Sequence, residues 1–195
     1  LRLIFNKHNY LSDKDLIKLH DNDRILFNNK NNLNLNDGLK VSVNLKDKKN
    51  IVAYSAKKNA PILDFSKNVY HNIKKYWDEV HADNGKIIIE KNKFYILRSK
   101  EKIRIPNFTA GEMIPYDTGI GDFRAHYAGF FDPGFGDPSG SYAVLEVKTN
   151  EIPFLIEDGQ TIARIKYEKL NKKSNIVYGR DINSNYQNQG KKLSK

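Results

Sequence analysis

The stretch Ala128-Gly129-Phe130-Phe131-Asp132-Pro133-Gly134-Phe135 is the most informative part of this sequence of 195 residues. Pro133 restricts its own φ and Gly134 can adopt a positive φ, so the three residues Asp132-Pro133-Gly134 are typical of a tight turn. Aromatic residues flank the turn on both sides, and such side chains favour burial. The stretch therefore predicts a specified turn between short strands.

A strand pattern with one carboxylate in it follows the turn, over residues 142–147. Glu146 lies in this otherwise apolar segment, where a carboxylate must be desolvated, paired or used in chemistry. A desolvated carboxylate is a stronger base and can take a proton from water near neutral pH. The same alternation is also compatible with a glutamate on an edge strand that faces solvent, opposite to Leu145. The pattern leaves both interpretations open.

Residues 110–160 differ in composition from the rest of the chain. They contain eight of the 12 glycines, four of the six prolines, and nine acidic residues against two basic ones. The whole chain has a net charge of +10, so this segment carries −7 and the remaining residues carry +17. Dense turn residues and few lysines indicate short strands with a functional site among them, although a buried sheet with turns has the same composition.

Short β-rich segments dominate the chain. They are residues 40–45, 86–90, 94–98, 103–105, 142–147 and 161–167. Many short strands separated by Gly and Pro predict a mostly-β barrel or sandwich with a few short helices.

Two helices are predicted. Ser12 is a suitable N-cap for a helix over residues 13–20, with Asp15 as its capping-box partner. A second pattern begins at Ser66, and its apolar residues recur at helical spacing. These apolar residues are Val69, Ile73, Tyr76, Trp77 and Val80, and we expect Trp77 in the core.

Composition excludes several classes of site. The chain has no cysteine, so it forms no disulfide and no Cys-ligated zinc site of the kind that zinc-dependent nucleobase deaminases use. It has no long apolar run and no signal-peptide core, so we expect a cytoplasmic protein without a membrane segment. The positive charge allows nucleic-acid binding as an alternative, but no aromatic and basic RNA-binding string supports it, and we expect no nucleic-acid partner.

Several segments, in the same order, resemble the dCTP deaminase branch of the dUTPase-like superfamily. The turn at 128–135 resembles the family's A-x-x-I-D-P-G-F/W string, residues 144–146 its strand with L-E, and residues 158–162 its P-G-x-x-I turn. Residues 11–16 are similar to the opening helix and residues 93–97 to a mid-chain strand. Tyr178 and residues 185–190 resemble the family's Y-x-x-R-x-x-x-K-Y-x-x-Q-x-G ending.

The resemblance implies a distorted β-barrel of the dUTPase-like type over residues 1–170 and a C-terminal tail over residues 171–195 that closes over the nucleotide. It also implies a homotrimer that binds dCTP between subunits. The implied reaction is hydrolysis of dCTP to dUTP and ammonia in dUTP and dTTP precursor synthesis. Zinc is not used, and Mg²⁺ enters bound to the triphosphate of the substrate.

The resemblance also implies roles for individual residues. Glu146 matches the catalytic glutamate, which takes a proton from the attacking water. The other matching positions bind substrate, those before residue 150 at the base and sugar and those after it at the triphosphate. They are Ala128, Asp132, Val144, Leu145, Tyr178, Asn185 and Gln189.

Two features depart from the family pattern. The family has a G-R-S-S-L-A-R string before the turn, but residues 113–120 contain neither its arginines nor its serines, and Asn185 stands where the family has lysine. Three phosphates require cationic donors. The chain is especially similar to the second repeat of a duplicated bacterial dCTP deaminase, so we expect a preceding segment or a partner chain to supply these donors.

In that case Leu1-Arg2-Leu3 would be the end of the first repeat, because the sequence begins with Leu and not Met. Two alternatives stay open. The chain is a non-catalytic half that binds nucleotide or supports assembly, or it belongs to a bifunctional enzyme that deaminates dCTP and also hydrolyses dUTP to the monophosphate.

Overall fold

A computed structural model describes residues 9–28, 33–47, 50–64, 71–115, 123–125, 129–150 and 152–182. The described part contains one α-helix, one single-turn 3-10 helix and eleven strands. The α-helix α1 is Asp13–Asn22 and the 3-10 helix is Ile73–Lys75. The strands are β1 Leu39–Ser42, β2 Ile51–Ala56, β3 Trp77–His81, β4 Lys86–Ile89, β5 Phe94–Ile103, β6 Thr109–Pro115, β7 Phe123–Ala125, β8 Phe130–Phe131, β9 Ser141–Thr149, β10 Phe154–Glu157 and β11 Thr161–Lys169.

The strands form three antiparallel sheets. Four strands pair in the order β1-β11-β6-β8, five in the order β3-β2-β5-β9-β7, and β10 pairs with β4. The predicted mostly-β fold class is thus confirmed. Strand pairing in the described residues does not join the three sheets into one closed barrel.

The core lies between the inner faces of these sheets, and strand alternation decides which residues enter it. On β9, Ala143, Leu145 and Val147 are fully buried, whereas Tyr142, Val144 and Glu146 are only partly covered on the opposite face. Each fully buried Leu or Val side chain contributes roughly 1.5–3 kcal/mol relative to an exposed one. Burial of one face therefore sets the direction in which Glu146 points.

The first predicted helix is confirmed and extends two residues further than expected, to Asn22. The Asp15 N–H donates to the Ser12 hydroxyl at 3.2 Å, and the Ser12 N–H donates to the Asp15 carboxylate at 3.2 Å. This is the predicted capping box. Leu16, one turn into the helix, is completely buried and fixes the helix against the core.

The second predicted helix is wrong over the residues that the structure describes. Residues 65–70 lie outside the described part, residues 73–75 make a single 3-10 turn, and residues 77–81 are strand β3. Trp77 pairs with Ala56 and Val80 with Ala53 of β2, so hydrogen bonding to a neighbouring strand overrides the helical spacing. Trp77 is also not in the core: it is half-buried beside the ring of Phe94, with a centroid distance of 6.1 Å.

No helix in the described ranges is both long enough and apolar enough to cross a membrane.

Candidate functional site

The predicted turn at Asp132-Pro133-Gly134 is present and closely packed. The Phe135 N–H donates to the Asp132 carbonyl at 3.0 Å, and Gly134 has φ +98°, as a turn with glycine at this position allows. The Gly134 N–H donates to the Ile105 carbonyl at 2.8 Å. A Cβ atom at Gly134 would overlap the side chain of Val177. Glycine is therefore required for both the backbone conformation and the packing.

The first part of the predicted tail is fixed to this turn. The Tyr178 N–H donates to the Pro133 carbonyl at 2.9 Å, and the rings of Tyr178 and Phe135 lie 6.3 Å apart. Val177 is buried, and its N–H donates to the Asp181 carboxylate at 2.9 Å. The Arg180 guanidinium and this N–H lower the pKa of Asp181 to about 2. The structure thus brings Tyr178 next to the turn that contains Asp132.

An arginine that the sequence pattern did not identify holds the turn region to α1. The Arg104 guanidinium donates to the Asp137 carboxylate at 2.6 Å and forms an ion pair with Asp23. Its backbone carbonyl accepts the buried Tyr167 hydroxyl at 3.0 Å. Burial alone would lower the pKa of Arg104, but the two carboxylates raise it above its ordinary value. Arg104 therefore stays charged and has a structural role.

Glu146 lies on the outer face of the five-stranded sheet. It pairs with Ile96 of β5, which in turn pairs with Tyr54 of β2, so the three side chains form a row across this face. Glu146 is half-buried, and its carboxylate has no hydrogen bond or ion pair with any described residue. Its strand, β9, lies between β5 and β7, so the alternative of an edge-strand glutamate is wrong.

Further polar groups share this outer face. The Arg98 guanidinium stacks over the Tyr142 ring with 4.4 Å between Cζ and the ring centroid, and Lys102 Nζ lies 5.5 Å from the same centroid. Arg98 pairs with Val144 across the strands, and Lys102 pairs with Tyr142. Burial and the nearby carboxylates of Glu79 and Asp47 raise the pKa of Tyr54. Neither cation was identified from the sequence, although Arg98 follows Ile96 at the period of two that marks one face of a strand.

The structure places some candidate residues on β9 and others at the turn, and the rest lie outside the described residues. Val144 and Glu146 share the outer face of β9, while the Leu145 side chain points into the core. Asp132 is exposed at the turn, next to Tyr178. No hydrogen bond or ion pair in the described part of the chain joins Glu146 to Asp132. Ala128, Asn185 and Gln189 lie outside the described residues.

No set of three or more His, Asp or Glu side chains in the described ranges is close enough together to hold a metal ion.

Comparisons with known proteins point to one family. The family model for the 2'-deoxycytidine 5'-triphosphate deaminase (DCD), C-terminal domain, matches residues 12–195. Among 27 matching chains of solved structures is the 2'-deoxycytidine 5'-triphosphate deaminase from Agrobacterium tumefaciens, with 34% sequence identity and a TM-score of 0.79. The match covers 90% of this chain and 52% of the Agrobacterium chain, so the present sequence spans about half the length of that protein. No curated protein sequence gave a match.

Proposed function

Because the chain belongs to the family of 2'-deoxycytidine 5'-triphosphate deaminase C-terminal domains, we propose that it carries out, alone or as half of a longer enzyme, the hydrolytic deamination of dCTP to dUTP and ammonia. The observation that supports this most directly is the environment of the Glu146 carboxylate. Its carboxylate is half-buried on the face opposite to the core and has no partner among the described residues, so it is available to a substrate and a water molecule.

In the proposed reaction Glu146 is the general base. Its carboxylate takes a proton from water, and the resulting hydroxide attacks C4 of the cytosine. The proton then moves to the 4-amino group, which leaves as ammonia. The remaining proton of the former water passes from the C4 hydroxyl to N3, so that C4 becomes the carbonyl of uracil. General-base catalysis contributes about 10²–10⁴-fold to a rate of this kind. Mg²⁺ enters with the triphosphate of the substrate, and a Cys-ligated zinc is excluded because the chain has no cysteine.

The remaining candidate residues would position the nucleotide. In this proposal the backbone at Val144 and Leu145, together with Ala128 and Asp132, borders the base and sugar. The docked position of Tyr178 beside Pro133 supports a tail that begins at the turn and continues over the triphosphate with Asn185 and Gln189. Assembly as a homotrimer, with the nucleotide between subunits, is part of the same proposal.

The direct test is ammonia and dUTP formation from dCTP with Mg²⁺ by the purified protein and its Glu146→Gln variant. The variant should lose about 10²–10⁴-fold or more in kcat while it still binds dCTP, because Gln keeps the shape but cannot accept the proton. Glu157→Gln is a matched control, since Glu157 is an exposed carboxylate of the two-stranded sheet that pairs with Lys86. Equal rates for the wild type and Glu146→Gln would contradict the proposal.

A second candidate function is a non-catalytic half that binds nucleotide or supports assembly. It is favoured by residues 113–120, which contain no Arg and no Ser where the family has its phosphate-binding string. In this case the protein binds dCTP without releasing ammonia, and Glu146→Gln leaves its behaviour unchanged. The same pair of proteins therefore separates the two functions.

A further inference from the structure

Two cations and a tyrosine on the outer face of the five-stranded sheet have no role in the mechanism above. These residues lie on the face that carries Glu146, near the N-terminal end of β9; they are Arg98, Lys102 and Tyr142. The guanidinium of Arg98 and the ammonium of Lys102 both approach the Tyr142 ring, at 4.4 and 5.5 Å from its centroid. We call these three residues the basic patch.

Among the described residues, the basic patch has little paired negative charge. The only carboxylate paired with Arg98 in the described residues is that of Asp47, at 3.9 Å, near the limit of an ion pair. The Nε atom of Arg98 is buried and has no hydrogen-bond partner in the described part of the chain. Lys102 makes no ion pair with any described residue. Two cations this close to each other with so little counter-charge favour an anionic ligand.

The tyrosine adds a hydroxyl group that can donate a hydrogen bond. Within the described ranges the Tyr142 hydroxyl makes no hydrogen bond, although the side chain is half-buried. A guanidinium, an ammonium and a hydroxyl are the groups that proteins use to bind phosphate oxygens. They have the chemistry of the Arg and Ser donors that the family has and that residues 113–120 lack.

The spacing between the basic patch and Glu146 suits one nucleotide. Tyr142 and Glu146 are four residues apart on the same face of β9, which corresponds to about 13 Å at the rise of an extended strand. An extended deoxynucleoside triphosphate spans a comparable distance between the amino group of its base and its terminal phosphate. We propose that Arg98, Lys102 and Tyr142 bind the triphosphate of a nucleotide whose base lies at Glu146, an inference that rests on the proposed function.

The test measures ligand binding and does not require catalysis. Inorganic tripolyphosphate, dCTP and deoxycytidine are titrated by calorimetry into the wild type and into the Arg98→Gln, Lys102→Gln and Tyr142→Phe variants. Lys148→Gln is the matched control, because Lys148 is on the same face of β9 but on the other side of Glu146. Lys102→Gln keeps the test valid if Arg98→Gln fails to fold, since among the described residues the Lys102 side chain contacts only the Tyr142 ring through an interaction that the substitution would remove.

The two charge-removing variants should each raise the Kd of tripolyphosphate and of dCTP by about tenfold or more, because hydrogen bonds to charged groups are the stronger ones. Tyr142→Phe should raise it less, and Lys148→Gln should leave it unchanged. The Kd of deoxycytidine, which has no phosphate, should be the same in all variants. For the wild type, the affinity for tripolyphosphate should also fall with increasing salt.

Unchanged tripolyphosphate affinity in the Lys102 and Arg98 variants would overturn the inference, as would a wild type that does not bind tripolyphosphate at all. A change of oligomeric mass in these variants at constant affinity would show a subunit contact instead and would also overturn it. Failure of the proposed function gives a different result: tripolyphosphate binding depends on the basic patch, but no ammonia is released from dCTP.

Discussion

At the scale of single residues, Gly134 shows how one position can carry both local and distant constraints. Its φ of +98° is a local requirement of the turn, while its contact with Val177 joins residues 43 positions apart in the sequence. Asp132 and Tyr178, both candidates for substrate binding, lie on the two sides of this contact. The conformation of Gly134 therefore holds the start of the tail at the turn.

Gly134→Ala should lower the free energy of unfolding by about 2–3 kcal/mol, because alanine is strained at positive φ and its Cβ would overlap Val177. Gly85→Ala is the control: Gly85 also has positive φ, but the nearest atom to its Cβ would be 3.6 Å away, so the expected loss is about 1 kcal/mol. Urea unfolding measures both. In the double variant Gly134→Ala/Val177→Ala the overlap is relieved, and the two effects should not add. Simple additivity would contradict the packing explanation.

At the scale of elements, α1 and β3 show where sequence patterns succeed and fail. The capping box of α1 depends on residues three positions apart, so Ser12 and Asp15 identify it without knowledge of the fold. The spacing of Trp77 and Val80 also fits a helix, but these residues pair with β2 and form a strand. A pattern of apolar residues indicates which side chains prefer burial. Whether the segment forms a helix or a strand is decided by the presence of a neighbouring strand with which its backbone can form hydrogen bonds.

Ser12→Ala should destabilise the protein by about 1 kcal/mol, because the Asp15 N–H loses its acceptor at the start of α1. The hydrogen bond from Ser12 also lowers the pKa of Asp15, so the pKa of Asp15 measured by NMR should rise toward its ordinary value in the variant. Ser12→Asn, which keeps an N-cap acceptor, should retain most of the stability. An unchanged pKa of Asp15 in Ser12→Ala would show that the capping box does not form in solution.

At the scale of the whole molecule, Asp158 connects segments that lie far apart in the sequence. Its carboxylate accepts the Leu45 N–H and the Lys100 ammonium, each at 2.9 Å, and lies 3.6 Å from Lys46. Burial alone would raise the pKa of Asp158, but these donors lower it below its ordinary value. The turn between β10 and β11 is thereby held to β5 and to the segment after β1.

A carboxylate whose pKa is lowered by folding stabilises the native state above its unfolded pKa of about 3.9, and this contribution is lost as the pH falls through the folded pKa. Asp158→Asn should therefore reduce the free energy of unfolding at pH 7 and have a smaller effect at a pH below the folded pKa of Asp158, where the carboxylate itself is protonated. Asp83→Asn, at an exposed aspartate, should leave the free energy of unfolding unchanged at both pH values. Urea unfolding at the two pH values checks the prediction, and an equal effect of Asp158→Asn at both would contradict it.

Features that depend only on neighbouring residues could be predicted before the fold was known. These are the turn at Asp132-Pro133-Gly134, the cap at Ser12, the mostly-β class, and the placement of Glu146 and Leu145 on opposite faces of one strand. Each follows from backbone sterics or from the period of two in a strand, which act over a few residues.

Which segments meet could not be predicted in this way and is seen in the folded molecule. The tertiary structure placed β9 between β5 and β7, brought Arg98 and Lys102 to the Tyr142 ring, and fixed Tyr178 against Pro133. These contacts join residues tens of positions apart, and any strand with the same alternation could pair in their place. The choice depends on which set of pairings buries all the apolar faces at once, and that is a property of the whole chain.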